Sequence, residues 1–215
     1  MTDGPTNPLP GAPASLVDRV KNILVSPKTE WSRIDAEPAT VASIFTTYAL
    51  ILAAIGPIAM VIGQQVFGVG GFGYTWKPSI GYSVGTAVFT YILSLVGVYV
   101  ASLVIDALAP SFGGTKDPVK ALKVAVYAST AGWVAGIFQL IPMLGWLALI
   151  GSLYGLYLLY LGLPRLMRVT EDKAVGYTVV VIVVQIVIYF VLAFIVGMLV
   201  ATFFVATMPS PVIRY

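Results

Sequence analysis

Asp106 is the carboxylate that stands at the edge of a long apolar run. An ionisable group at such a place is a candidate for proton or ligand chemistry. Its position at the run's end, within reach of water or of Lys116 and Lys120, favours a plainer role as an interfacial ion pair or a marker of the helix end. No other ionisable side chain is expected to work deep inside an apolar run, which weighs against an ion-coupled transporter. The large neutral polar residues in or near the runs are Gln64, Gln65, Gln139 and Gln185, with Gln185 the deepest. Amides of this kind bridge helices or line a pore, and bridging is the commoner use. Gln139 borders a turn, where it can face water. Tyr154, Tyr157 and Tyr160 recur at a spacing of three and share one helix face. That stripe can stack on a ligand or pack against neighbouring helices.

Other chemistries lack their residues. The chain has no cysteine and no histidine, so thiol nucleophiles, thiolate metal sites and imidazole bases are excluded. No Ser–Lys or paired-carboxylate arrangement falls within an apolar run. The expectation is no catalytic residue, no metal and no cofactor. Gly68, Gly70 and Gly73 match the spacing of a dinucleotide fingerprint, but they follow no βα unit and have no acidic partner about 20 residues on. The net charge of +3 is too small an excess for nucleic-acid binding.

The elements that position these residues are membrane helices. The 215 residues are 59% hydrophobic and only 10% charged. Soluble domains carry about 25% charged residues, and this chain could not cover a soluble surface. A helix needs about 20 apolar residues to cross a bilayer. Charge-free runs, divided at their Pro and Gly breaks, predict an all-α integral membrane protein with five transmembrane helices, at about 44–67, 80–105, 121–140, 144–163 and 175–206. Gly68–Gly73 punctuates the first two, the turn around Pro142 and Gly145 makes a hairpin of the third and fourth, and Pro164 is expected to end the fourth. With the N-terminus cytoplasmic and the C-terminus outside, ten of the Lys and Arg residues fall inside and only Lys77 and Arg214 outside.

Residues 1–14 are proline-rich and read as a disordered tail. Residues 15–38 read as an amphipathic, interfacial segment on the cytoplasmic side. Leu16, Val17, Val20, Ile23 and Leu24 repeat at helical spacing, with Asp18, Arg19, Lys21 and Asn22 opposite and Ser15 as N-cap. Ser26-Pro27 opens a second short helix that carries Trp31, which suits the headgroup level. Such helices either lie on the leaflet and bind a partner or tuck against the bundle. Residues 41–208 form the membrane domain.

Within that domain, Pro57 predicts a kink. Gly81–Gly85, Gly132–Gly136 and Gly151–Gly155 are small-residue steps that let helices approach closely, first within one chain and more weakly between copies in a homo-oligomer. Lys116, Lys120, Lys123, Arg165 and Arg168 set the topology and are candidates for contact with lipid headgroups or a protein partner.

One family pattern runs through the chain. Asp117-Pro118 opens a helix that continues through Lys120-Ala121-Leu122-Lys123-Val124-Ala125-Val126-Tyr127-Ala128. Gly132-Trp133, the Ile141-Pro142 hairpin and Tyr157-Leu158-Leu159-Tyr160-Leu161-Gly162-Leu163-Pro164 follow, then a basic loop with Asp172-Lys173-Ala174. Ser26-Pro27, Trp31, Ile34 and Glu37-Pro38 fit the same pattern. Over about residues 20 to 205 the sequence resembles the bacterial branch of the Yip-domain family, named for Ypt/Rab-interacting proteins. The resemblance implies a five-helix domain in the bacterial inner membrane, with the N-terminus cytoplasmic. Eukaryotic relatives are linked to vesicle traffic, small GTPases and membrane shaping, but their Asp-Leu-Tyr-Gly-Pro-type motif is absent here. The expected function is non-catalytic, through lipid or protein contacts in membrane organisation. The alternative is a small transporter or channel for a neutral or lipid-like solute.

Overall fold

The computed structural model describes residues 14–71 and 74–207, so most of the proline-rich tail lies outside the described residues. Two short helices come first, α1 (Leu16–Val25) and α2 (Pro27–Ala36). Five long apolar helices follow: α3 (Val41–Phe67), α4 (Ile80–Phe112), α5 (Pro118–Leu140), α6 (Pro142–Met167) and α7 (Glu171–Thr207). Each is long and apolar enough to cross a membrane, as the charge-free runs predicted.

Local chemistry sets their ends. Ser15 caps α1 by accepting from the Asp18 N–H, as its position predicted. Ser26 and Pro27 open α2, although the Ser26 side chain makes no cap bond. Asp117 accepts from the Lys120 N–H and Pro118 takes the first turn of α5, so this helix begins three residues earlier than its apolar run. The expected stop at Pro164 is corrected. Proline at this point removes one N–H but keeps a helical φ, so α6 continues to Met167 and ends where Arg168 adopts φ 55°. Between α3 and α4 lie two short strands, β1 (Val69–Gly71) and β2 (Tyr74–Trp76), paired antiparallel with Val69 opposite Trp76. Near Pro57, α3 is interrupted at Ala54, one residue after the carbonyl that Pro57 leaves without its helical donor. A π-turn at Phe45–Ala49 precedes it.

Helix α5 is the axis of the bundle. Every residue from Ala121 to Ala128 is buried, as fits a helix enclosed by others on all sides. Glycines set two of its contacts. A Cβ on Gly136 would lie 2.8 Å from Gly56 Cα of α3, and one on Gly155 of α6 would lie 2.9 Å from the Ala128 carbonyl oxygen. The outward belt of the bundle is apolar, with Ile58, Val88, Leu149, Leu153 and Phe194 exposed, as lipid contact requires.

Of the two readings of the amphipathic segment, the contacts of α1 and α2 fit the one in which they tuck against the bundle. They dip into the bundle. The Leu24 carbonyl accepts a 2.8 Å hydrogen bond from Tyr154 Oη, and Tyr154 sits thirteen residues before the end of α6. The pair then returns through Trp31, which is fully buried and touches Gly162 one turn from the end of α6. Trp31 is thus a core residue and not a headgroup anchor.

Candidate functional site

The end of the bundle that receives α1 and α2 gathers most of the polar chemistry. Arg19 is 3% exposed and Glu30 is 1% exposed. The Arg19 guanidinium donates through Nη1 to Glu30 Oε1 at 2.5 Å and through Nη2 to the Glu37 carboxylate. It also stands 5.6 Å from the centroid of the Tyr127 ring on α5. Burial works against its charge, yet the Glu37 hydrogen bond and the charge of Glu37, then Tyr127 and Glu30, more than offset this and raise its pKa above the ordinary arginine value. The aromatic floor beneath continues this contact. Trp31 and Tyr48 each meet Tyr127 edge-on, and Tyr48 Oη is 2.8 Å from Thr130 Oγ1.

Two lysines of α5 tie the same hairpin down. Lys120 Nζ pairs with Asp35 at 2.6 Å. Lys123, 3% exposed, donates through Nζ to the Ile34 carbonyl at 2.7 Å and to the Glu37 carbonyl at 2.5 Å. These carbonyls end α2, so the cation also meets the negative end of a short helix. The three lysines expected to share one basic strip therefore have different surroundings. Lys123 is turned inward and cannot reach headgroups, Lys120 is half-buried in an ion pair, and Lys116 is exposed. The expectation that ionisable side chains stay out of the spans is corrected by Lys123.

Arg165 and Arg168 are both exposed, and Arg168 closes α6. Asp106 pairs with neither Lys116 nor Lys120 among the described residues. One of its carboxylate oxygens is buried without a hydrogen-bond partner, and the group lies near Tyr177, whose hydroxyl donates to the Ile105 carbonyl at 2.5 Å. The tyrosine stripe divides: Tyr154 reaches α1, while Tyr157 and Tyr160 face outward. Gln185 and Gln139 are both partly exposed on separate helices, and among the described residues no side-chain hydrogen bond joins them to one another. Gln65 instead bridges to Ser83 at 2.9 Å and to the Pro78 carbonyl.

Arg19 and Glu30 are not site candidates by sequence, where Arg19 falls on the polar side of α1, and Glu37 enters there only as part of the family pattern. The available signal was spacing. Arg19 stands four residues before Ile23 and therefore shares its buried face. Beside Pro57 an apolar groove of about 350 Å³ runs between α3 and α4, lined by residues including Ala54, Ile58, Val84, Val88 and Tyr91. Gln185, Gln139 and the stripe tyrosines take no part in its lining.

Five apolar spans, one of them a buried axial helix that the others surround, with one end closed by the chain's own N-terminal helices, define an integral α-helical membrane protein. The chain belongs to the Yip1 domain family, whose domain matches residues 21–195. It is 28% identical over 166 residues to the inner membrane protein YohC of Escherichia coli K12, covering 75% of this chain and 85% of that protein. YohC of an Escherichia coli O6:H1 strain matches to the same extent. The resemblance of its motifs to the Yip-domain pattern is borne out, and the protein is an integral protein of the bacterial inner membrane. No solved structure matches it.

Proposed function

We propose that this protein is non-catalytic and works through lipid and protein contacts at the end of the bundle that α1 and α2 close, and that this end faces the cytoplasm. The observation that carries the reading is the clamp of Arg19 on Glu30 and Glu37, joined by Lys123 on the α2 carbonyls. It holds the N-terminal helices as one body with the spans. Their outer side presents Lys21, Lys28 and Arg33 on a preformed surface. A preformed surface binds without the cost of ordering it first. The cytoplasmic assignment follows from the excess of Lys and Arg at this end.

Photo-crosslinking in cells from position 28, paired with solute flux in proteoliposomes, tests the reading. The expected result is a discrete crosslinked species and no flux of small neutral solutes above protein-free vesicles. Solute flux that saturates with concentration would overturn it. A second reading, movement of a lipid-like solute, is supported by the apolar groove beside Pro57. Lipid scrambling by the reconstituted protein, lost on filling the groove with Ala87→Phe, tests that reading.

A further inference from the structure

The loop between α4 and α5 and the loop between α6 and α7 are pinned to each other. The Thr115 N–H donates to the Met167 carbonyl at 3.0 Å, and the Gly114 N–H closes back on Ala109. Gly114 is itself pressed against this neighbour: a Cβ there would stand 2.6 Å from the Met167 carbonyl oxygen. Lys116 follows Thr115 and Arg168 follows Met167, so the backbone contact brings these two cations to one junction. Lys173 joins them from α7, its Nζ 3.5 Å from the Cβ position of Gly113. Arg165 stands one turn before Arg168 on α6. Lys116, Arg165, Arg168 and Lys173 are all exposed, and none makes an ion pair among the described residues.

Of the nearby carboxylates, Asp117 caps α5, Asp35 holds Lys120, Asp106 lies near Tyr177, and Asp172 bonds Thr170 and also feels the charge of Lys173. Arg168 adds a backbone signal. It holds φ 55° at the residue after α6, a place where glycine is usual. These exposed cations, without an ion pair among the described residues, stand together at the ends of spans, where a leaflet presents phosphate groups.

We propose that Lys116, Arg165, Arg168 and Lys173 form a binding site for the phosphate of an anionic phospholipid headgroup. The proposal rests on the reading that this end of the protein works by contact, and it names the lipid class. A guanidinium can hold two phosphate oxygens at once while each ammonium supplies a point charge. The site differs from the lysines that clamp the hairpin, since Lys120 and Lys123 already have partners.

The test is titration of the full-length protein in neutral detergent with dioctanoyl phosphatidylglycerol, dioctanoyl phosphatidylcholine and inorganic phosphate. Saturable binding of phosphatidylglycerol at least tenfold tighter than phosphatidylcholine is expected. Arg168→Gly and Lys116→Gln should each weaken it roughly fivefold, from about 1 kcal/mol for each basic group. Arg168→Gly suits the left-handed backbone, so the variant keeps its fold and its loss reports on the side chain. Equal binding of the two lipids would overturn the proposal. So would equal weakening by Lys21→Gln with Lys28→Gln, which removes charge from α1 and α2 alone. Inorganic phosphate binding as tightly as phosphatidylglycerol would also overturn it, because the site would then take a free anion. These outcomes leave the crosslinking and flux results untouched, so the two readings fail separately.

Discussion

The indole of Trp31 and the backbone of Gly162 are in direct contact: a Cβ on Gly162 would stand 2.7 Å from Trp31 Cζ2 and 2.8 Å from Cε2. The re-entrant helices therefore seat on α6 at a point where only glycine fits. Gly162→Ala should lower stability by about 1–3 kcal/mol, the usual cost of overpacking a filled core. Trp31→Ala should cost about 3–5 kcal/mol, because a fully buried aromatic leaves a cavity. Trp31→Phe should cost less, since the indole N–H has no partner and its loss leaves nothing newly unpaired. Thermal unfolding in detergent measures all three. Faster tryptic cleavage after Lys28 and Arg33 would show that the loss is release of the N-terminal helices.

Arg19→Met should destabilise the protein more than Glu30→Gln. It leaves the Glu30 carboxylate, 1% exposed, with only the exposed Arg33 at 3.6 Å as a partner, and breaking a buried pair from one side typically costs about 3–5 kcal/mol. Replacing Arg19 and Glu30 together by Met should recover much of the loss, which a double-mutant cycle reads directly. The pH dependence has a defined sign. The folded pKa of Arg19 is raised, so its contribution is fully present below the unfolded arginine value and is lost only as pH rises through the folded one. The unfolded value already lies far above neutrality, so Trp31 fluorescence should report no loss of the Arg19 pairing through the neutral and mildly alkaline range.

Lys123→Met should cost about 2 kcal/mol, because it leaves the Ile34 and Glu37 carbonyls with one donor fewer in a buried place. Lys116→Met, exposed and without an ion pair, should stay within about 0.5 kcal/mol. Chemical melts of the two variants against the parent provide the comparison. The same pair shows where sequence reading stops. Asp117-Pro118 places Lys116 before the helix and Lys123 inside it, but nothing local says what Lys123 faces. What separates them is the end of α2, brought against α5 by contacts 86 to 89 residues apart in the chain.

The spans were legible because membrane crossing depends on local composition: a charge-free run of sufficient length must be a helix whatever it packs against. Their ends were legible where the cap is local, as at Ser15 and Asp117, and not where it depends on backbone beyond the run, as at Pro164 and Arg168. The insertion of α1 and α2 was hidden because an amphipathic stripe states that one face is covered without naming what covers it. Arg19 was assigned by its chemistry to the wrong side, when its spacing from Ile23 already placed it inside.

The glycine steps separate by the same logic and give the last prediction. A Cβ on Gly151 would stand 2.6 Å from the Ala131 carbonyl oxygen, and one on Gly136 would stand 2.8 Å from Gly56 Cα, both against backbone that cannot swing away. Gly136→Ala and Gly151→Ala should therefore each lower stability by about 1–3 kcal/mol through forced separation of helices. At Gly81 and Gly85 nothing lies within 4 Å, so the steric term vanishes and only the backbone term is left. Alanine there should be neutral or stabilising by about 0.5–1 kcal/mol, from the lower conformational freedom of the unfolded chain. Four single variants in one thermal series decide the matter. If Gly85→Ala melted as early as Gly136→Ala, the first turns of α4 would have to be packed against something other than this chain. Size-exclusion chromatography with light scattering on that variant would then show whether the neighbour is a second copy.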